Sequence, residues 1–450
     1  MRVNVEISEA EYGKFSNVYL GYVDVVGEQR SIKLNIDFSK VYFFNRDLSS
    51  VQFDLFLVSA MVYGIDNLVQ RELYSIDGWR REIEVEFPVN HLERWESNVE
   101  IFSDLLTFLT GDSWRLTFRQ SNVDCFYTDR RRRKRPSYNR SLVKSTSLFS
   151  GGLDSLVGII DQLEKLSNGD RIVLASHFDS NSSGPNSDQT RLFNYLNSKY
   201  PTQIYWIQSV VSLSTIDSNG VKVGRESSYR SRSLLFIGIA LLLTTTETLI
   251  IPENGTISLN YPLTPSRVST LSTRTTHPYV LSKAQELLNG LGIGVELENP
   301  YSLKTKGEVL SECGNLEVLN RIYKQSVSCG KRGRRQHWEI RSGTDQCGVC
   351  MPCIYRQAAI HAADMESQLY GNNILNASSV NQFVDMPALF SFLKKPLDTE
   401  KVKRDLLVNG TALTNLDSQA DLVIKSQAEV KHWLIECGNE FVRQELGQYD

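Results

Sequence analysis

The segment at residues 150–155 carries the clearest potential for chemistry in this sequence. It consists of Ser150, Gly151, Gly152, Leu153, Asp154 and Ser155. Two apolar residues precede it, and an apolar segment with helical spacing follows at 156–166, so the pattern predicts a strand, a tight turn and a helix N-terminus. Such a turn binds anions, because glycines let the backbone approach a ligand and the helix dipole favours negative charge. The alternative is a strand–helix turn that carries serines without a ligand.

Four of the seven cysteines form a second pattern with chemical meaning. Two residues separate Cys347 from Cys350 and Cys350 from Cys353, and Cys329 lies upstream. C-x2-C spacing lets two sulfurs bind one ion, and four sulfurs complete a closed tetrahedron. We interpret the cluster as a structural zinc site, with an iron–sulfur cluster as the competing interpretation.

Polar residues follow two apolar runs that are typical of buried parallel strands. His177 comes directly after residues 171–176, and Glu253 and Asn254 come just after residues 249–251. Ligands of open α/β sheets bind outside the carboxyl ends of the strands. His177 is therefore a candidate for the phosphate site, with a structural role as the alternative. Glu253 and Asn254 are candidates for contacts to a base or ribose.

Cationic residues supply the other half of a possible anion site. Arg225, Arg230 and Arg232 precede a predicted apolar helix, and a guanidinium group matches phosphate and carboxylate geometry, so they are predicted to form an anion clamp opposite the turn. Lys306 opens a later predicted helix and is placed to reach an anionic ligand.

A loop rich in hydroxyl groups and hydrogen-bond donors lies between these cations. It contains Arg267, Arg274 and His277, which we predict to bind the substrate. The alternative is a polar loop that only faces water.

The elements that must position these residues fall into three regions. Residues 1–140 read as a separate α+β domain, with possible docking of a partner. Residues 141–370 alternate strands and helices, which predicts an α/β domain with a doubly wound, mostly parallel sheet. Residues 371–450 read as a helical region for packing or interaction. Six basic residues at 130–135 mark the first boundary, as an exposed linker or a contact to phosphates.

Within the N-terminal region, alternating and apolar runs predict individual elements. Strands are expected at 31–36, at 41–44 and at 82–87, the last ending at Pro88. A core helix is expected within 47–71. Asp54 and Asp66 lie in that helix and are interpreted as hydrogen-bonded or solvent-edge carboxylates.

Composition and charge narrow the class of protein. The chain has 450 residues, 41% of them hydrophobic, and a formal net charge of -3, which gives no general attraction to nucleic acid. The N-terminal residues lack the apolar core of a signal peptide, and the longest apolar run, at 234–243, is too short to span a bilayer. We therefore expect a soluble, cytoplasmic protein.

The residue 150–155 segment resembles the PP-loop of the ATP pyrophosphatases, whose fold is of the adenine nucleotide alpha hydrolase type. Together with Arg232, the sequence around Lys306 and the four cysteines, it resembles the 7-cyano-7-deazaguanine synthase (QueC) family over residues 145–367. The resemblance implies that ATP and 7-carboxy-7-deazaguanine form an adenylate. It also implies that the loop binds pyrophosphate with Mg²⁺, and that the cysteines hold structural zinc.

The same resemblance, with the chemistry of the side chains, assigns individual roles. Catalytic roles fall to Asp154, Ser155, Arg232 and Lys306, and pyrophosphate binding falls to the PP-loop and His177. The two cations would offset charge that develops on the phosphates in the transition state.

Three features depart from the common QueC pattern: some 140 additional N-terminal residues, a longer and basic cysteine loop, and a different segment at 254–278. They resemble the QueC-like proteins of anti-phage defence operons, the QatC type. That branch implies transfer of the deazaguanine acyl group to the N-terminal amine of a partner protein. Two alternatives remain: ordinary synthase activity with ammonia in queuosine-type biosynthesis, and a non-catalytic nucleotide-sensing scaffold.

Overall fold

A computed structural model describes residues 1–9, 16–45, 47, 49–121, 137–182, 184–226, 230–264, 274–408, 410 and 415–448. It is an α/β protein built around one mostly parallel sheet, with strand order β10-β9-β6-β7-β8-β3-β2-β1-β4-β5. The strands are β1 (Arg2–Ile7), β2 (Val18–Val23), β3 (Gln29–Ile36), β4 (Glu82–Val89), β5 (Ser113–Gln120), β6 (Val143–Leu148), β7 (Arg171–Phe178), β8 (Ile204–Leu213), β9 (Thr248–Ile250) and β10 (Glu296–Glu298).

Helices connect and cover these strands. They are α1 (Ser39–Phe44), α2 (Val51–Leu68), α3 (Arg71–Tyr74), α4 (Leu92–Glu96), α5 (Val99–Thr110), α6 (Leu153–Leu163), α7 (Pro185–Lys199), α8 (Arg232–Leu243), α9 (Gly255–Leu259), α10 (Pro278–Leu291), α11 (Lys306–Ser311), α12 (Leu316–Ile322), α13 (Met351–Ala362), α14 (Met386–Lys394), α15 (Thr399–Val408), α16 (Leu416–Cys437) and α17 (Glu440–Glu445). None of those helices combines the length and the apolar character that a membrane crossing requires.

The doubly wound sheet predicted for the central region is confirmed by strands β6 to β10. Successive residues of β7 face opposite cores, because side chains alternate across a strand. Ile172 and Leu174 pack in a core with α6 and α7, whereas Val173 and Ala175 pack in a core with α2 and α8. Helices therefore cover both faces, which explains why β7 reads as a continuous apolar run.

The order of the parallel strands creates a switch point beside β6. The chain runs from β6 through α6 to β7 on one side, and later places β9 on the other side of β6. Ligands of doubly wound sheets bind at the carboxyl edge of such a point. The segment at 150–155 follows β6 at this edge, and Glu253 follows β9.

The N-terminal region shares the sheet and the core of the central region, whereas the sequence predicted a separate domain. Strand β3 pairs antiparallel with β8, with Leu34 opposite Leu213 and Ile36 opposite Val211. Helix α2 packs against α8, and one hydrophobic core contains residues of both regions. The pairing of β3 with β8 joins the edge strands of the two regions, so that each strand satisfies backbone groups of the other that would otherwise stay unpaired.

Two local predictions in this region need correction. The strand expected at 41–44 is helix α1, since short apolar runs do not distinguish strand from helix. Strand β4 continues through Pro88 to Val89. The Glu84 N–H donates to the Met1 carbonyl, on the side of β4 that faces β1. The nitrogen of Pro88 faces the same side, because it lies four positions further along the strand. The pairing of β1 with β4 ends before it, at Glu86. Pro88 therefore removes no ladder hydrogen bond.

The C-terminal helices form a further core with the cysteine-bearing segment. Helix α16 packs against α13, the helix that begins directly after Cys350. Helices α14 and α15 also pack against α16. The helical region that the sequence predicts at 371–450 contains α14, α15, α16 and α17. The basic block at 130–135 lies outside the described residues.

Candidate functional site

The segment at residues 150–155, called the glycine loop below, has the turn geometry that its sequence predicts. Gly151 adopts a φ of 86°, a left-handed conformation that favours glycine. Gly152 is the N-cap of α6, and its N–H donates to the Ser150 Oγ at 3.2 Å. The Ser155 Oγ donates to the Gly152 carbonyl at 3.0 Å. The loop is thus a tight turn that leads into the N-terminus of an 11-residue helix.

A cavity of about 880 Å³, called the central cavity below, opens in front of this loop. Its wall brings together segments that are far apart in sequence. Among the lining residues are Ser150, Gly152, Asp154, Ser155, Asp188, Arg232, Glu253, Lys306, Ser328, Cys329, Lys331, Arg332 and Arg334. The cavity therefore joins four of the six glycine-loop residues with both predicted catalytic cations.

The centre of the cavity wall is an ion pair between Asp154 and Lys306. The Lys306 Nζ donates to Asp154 Oδ2, and the two side chains are only 3% and 11% exposed. The Asn254 amide donates to the same oxygen at 3.2 Å. Among the described residues, Asp154 Oδ1 has no hydrogen-bond partner. The two donors thus hold Oδ2, and the other oxygen of this carboxylate is buried.

Glu253 lies beside this pair on the cavity wall. Burial and the nearby Asp154 carboxylate raise the pKa of Glu253 well above its ordinary value, and the charge of Lys306 opposes that shift only in part. Burial disfavours the charged carboxylate, and a second negative charge nearby disfavours it further. The charge state of Glu253 thus depends on the Asp154–Lys306 pair beside it.

Arg232, the first residue of α8, is the one arginine of the predicted clamp that lines the cavity. Its guanidinium lies 5.4 Å from the centre of the Phe236 ring. Its Nε is buried and makes no hydrogen bond within the described ranges. The prediction is wrong for the other two arginines: Arg225 donates to the Leu213 carbonyl, and Arg230 donates to the Thr110 carbonyl.

The N-terminal region fixes the start of α8. Asp66 of α2 accepts hydrogen bonds from the Ser231 N–H at 3.1 Å and from the Ser231 Oγ at 2.6 Å. The same carboxylate accepts from Arg81 at 2.5 Å, and Asp66 and Arg81 are both 0% exposed. The prediction that Asp66 is a hydrogen-bonded carboxylate is confirmed. The sequence did not indicate that its partner would be Ser231, the residue directly before Arg232.

His177 lies in the core and not on the cavity wall. Its Nε2 contacts the Val211 carbonyl at 3.0 Å, and its ring packs against Tyr63 and Phe236. Burial lowers the pKa of His177 to about 3, and the positive charge of Arg232 adds to that shift. A neutral, enclosed imidazole supports the structural alternative for His177 and offers no contact to phosphates.

Two of the three residues predicted to bind the substrate, Arg274 and His277, lie away from the cavity wall. Arg274 donates to the Phe108 carbonyl and stacks 4.2 Å from the centre of the Phe108 ring. His277 is the N-cap of α10 and accepts from the Tyr279 N–H at 3.2 Å, with its pKa lowered to about 3 by burial first and by Arg274 second. Both residues attach α10 to α5, which corrects their predicted role. Arg267 lies outside the described residues.

The four cysteines converge to one point, as their spacing predicts. Their sulfur atoms all lie within 4.8 Å of one another, with Cys329 to Cys350 at 4.0 Å and Cys347 to Cys353 at 3.9 Å. A tetrahedron with metal–sulfur bonds of about 2.3 Å has edges of roughly 3.8 Å, which these distances match. A cluster of several irons would hold the sulfurs further apart. The four cysteines are thus positioned to bind one metal ion.

Residues 330–346, called the basic loop below, connect this metal centre to the cavity. Arg332 pairs with Asp188 at the start of α7 and with Asp345 at 2.9 Å, and Lys331 pairs with Asp385 at 2.8 Å. Arg334 lines the cavity and is exposed. Sequence reasoning missed Ser328 and Asp188, whose only signals were their positions beside Cys329 and after a loop rich in serine and asparagine.

Comparison with known proteins assigns no family. No family model, curated protein or solved structure matches this chain. The functional interpretation therefore depends on the residues and their geometry.

Proposed function

We propose that this protein is a PP-loop ATP pyrophosphatase that activates a carboxylate as its adenylate. The observation that carries this proposal is the convergence of the glycine loop, Arg232 and Lys306 on one cavity at the switch point of the sheet. A carboxylate is a poor electrophile, and its attack on the α-phosphate of ATP forms an acyl–AMP bond and releases pyrophosphate. The two cations and the turn would stabilise the charge on that leaving group.

For the acid substrate we propose 7-carboxy-7-deazaguanine. The support is the resemblance of the glycine loop, the Lys306 segment and the cysteine cluster to the QueC family. Glu253 lines the cavity as well, and its carboxyl group is a candidate contact for the polar edge of a guanine-like ring. Asn254 instead binds Asp154 and caps α9, so we assign it to support of the site.

Two metal ions fit the residues of this proposal. Mg²⁺ would accompany ATP, with the Asp154 carboxylate and the Ser155 hydroxyl on the cavity wall as its protein ligands, and would supply charge neutralisation on the phosphates. Zinc would occupy the four-cysteine centre, because closed four-sulfur sites are its usual structural environment. There it would fix the basic loop and α13, and Cys329 would connect this rigid unit to the cavity.

The acceptor that we propose is the N-terminal amine of a partner protein, within an anti-phage defence system. The deprotonated amine attacks the acyl carbon, the new C–N bond forms, and the C–O bond to AMP breaks. The support is the resemblance to the defence branch, together with the basic loop and N-terminal region that the common QueC pattern lacks. Arg334 lines the cavity and is exposed, so it is accessible to a partner chain.

The test is release of pyrophosphate and AMP from Mg²⁺-ATP on addition of 7-carboxy-7-deazaguanine to the purified chain. Asp154→Asn should lower the rate about 100-fold, because it removes the charge that orders Lys306 and the phosphates. Asp170→Asn is the matched control. Asp170 lies just before the amino end of β7, where its contact is a long 3.8 Å pair with Lys144.

Pyrophosphate release that is absent in the wild-type protein, or equal in Asp154→Asn, would refute the proposal. The acceptor is tested separately by mass spectrometry of the partner encoded beside this chain, which should gain the deazaguanine acyl mass. Formation of the free nitrile from ammonia would instead identify the synthase alternative.

A further inference from the structure

The C-terminal region reaches the cavity wall through the carboxylate of Glu429 on α16. The Thr305 Oγ1 donates a hydrogen bond to Glu429 Oε2 at 2.6 Å. The Gly307 N–H donates to the two carboxylate oxygens, at 3.3 Å and 3.2 Å. These two residues flank Lys306 on either side. One carboxylate therefore holds the backbone on both sides of the lysine that pairs with Asp154.

This close approach requires glycine at position 307. A Cβ atom there would lie 2.5 Å from Glu429 Oε2 and 3.0 Å from the Ala362 Cβ. Atoms at 2.5 Å overlap, so any other residue would displace the Glu429 carboxylate from this contact. The glycine and the carboxylate are thus two separate features that fit the same contact.

The start of α11 is capped both from within and from α16. Thr305 and Glu308 form a complete capping box, in which the Thr305 Oγ1 accepts from the Glu308 N–H and the Glu308 side chain accepts from the Thr305 N–H. Such a box satisfies two of the orphan donors of a helix start. Glu429 accepts from a third, the Gly307 N–H, and with its bond from Thr305 it ties this turn to α16.

Placement of the turn determines where the Lys306 ammonium lies. The Lys306 side chain is 3% exposed and meets Asp154 from the opposite wall of the cavity. Its side chain leaves the backbone between Thr305 and Gly307, the two residues that donate hydrogen bonds to Glu429. Electrostatic catalysis depends on donors that are held in position before the reaction, since reorientation of a charge costs free energy.

We propose that Glu429 is a positioning residue, which fixes Lys306 for stabilisation of the leaving pyrophosphate. This inference rests on the proposed ATP pyrophosphatase function for its catalytic consequence, but the placement of Lys306 can be measured without any reaction. The C-terminal region then contributes to the site by holding it, in addition to packing on the metal-bearing helix.

The first measurement is the rate at which Lys306 reacts with an amine-specific acetylating reagent, followed by peptide mass spectrometry. Glu429→Gln retains the shape of the side chain but offers one carbonyl oxygen in place of a charged pair. We expect acetylation of Lys306 to become about fivefold faster in this variant, because the turn opens more often. The matched control is Lys425→Ala, which breaks an exposed contact of 3.1 Å from α16 to Glu308 of α11.

The second measurement is the kinetics of pyrophosphate release. In Glu429→Gln we expect kcat to fall about tenfold while KM for ATP stays within about twofold, because Lys306 acts on charge that develops in the transition state. Lys425→Ala should leave both constants within about twofold of the wild type.

The outcomes separate the two proposals. Acetylation of Lys306 at the wild-type rate in Glu429→Gln overturns the positioning role, whatever the activity. Equal kinetic losses in Glu429→Gln and Lys425→Ala overturn it as well. If the wild-type chain releases no pyrophosphate, the proposed function fails, and the acetylation rates still decide whether Glu429 positions Lys306.

Discussion

Removal of the Asp66 carboxylate should destabilise this protein strongly, although Asp66 lies in the region that the sequence assigned to a separate domain. The side chain is 0% exposed and accepts hydrogen bonds from Arg81 and from both donors of Ser231. It therefore joins α2, the turn before β4 and the start of α8. Asp66→Ala removes all three contacts at once.

The magnitude follows from what each group loses. Breaking a buried ion pair by removal of one partner costs about 3–5 kcal/mol, because the remaining charge stays buried. Arg81 keeps its contact with Asp112 at 2.5 Å, which favours the lower end of that range. The buried Ser231 N–H loses its acceptor, which adds about 1–3 kcal/mol. We expect the free energy of unfolding to fall by about 4 kcal/mol in total.

The assay is equilibrium unfolding in urea, measured by circular dichroism and by tryptophan fluorescence. Glu317→Ala is the control, because its ion pair with Arg321 at 2.8 Å is largely exposed and should contribute no more than about 0.5 kcal/mol. Asp66→Asn should lie between the two variants, since its amide oxygen can still accept from Ser231. A loss in Asp66→Ala no larger than that in Glu317→Ala would refute the argument that α2 and α8 share one buried polar network.

Two further predictions concern the metal centre and pH. Cys350→Ser should abolish binding of the metal ion, measured by plasma emission, and lower the unfolding midpoint. Cys437 is exposed and lies outside the cluster, so Cys437→Ser should change neither quantity. Equal metal content in both variants would contradict the site. The free energy of unfolding should also decrease as the pH is lowered below 6.5. Burial lowers the pKa values of His177 and His277 to about 3 in the folded protein, so the histidines of the unfolded chain take up protons at a higher pH. Between pH 8 and pH 5 each histidine should lower the free energy of unfolding by about 2 kcal/mol. In urea unfolding, His177→Gln should therefore show a shallower pH dependence than the wild type. An unchanged slope would contradict this assignment for His177.

Short-range patterns in the sequence determined much of the parallel sheet and of the site. The glycine loop, the C-x2-C spacing and the apolar run of β7 each depend on neighbouring residues, whose types limit the backbone conformation directly. The predicted strand at 41–44 was wrong for the complementary reason. Four apolar residues satisfy either a strand or a helix, and the packing of α1 decides between them.

Only the tertiary structure decided which distant residues share the cavity. Lys306 meets Asp154 across 152 positions of the chain, and Glu429 reaches Thr305 across 124, because helices from separate segments pack against one another. The same packing placed Arg274 and His277 against α5, although their composition resembled that of a binding loop. Residue type establishes what chemistry a side chain can perform. Its position in the cavity depends on long-range burial that no local pattern encodes.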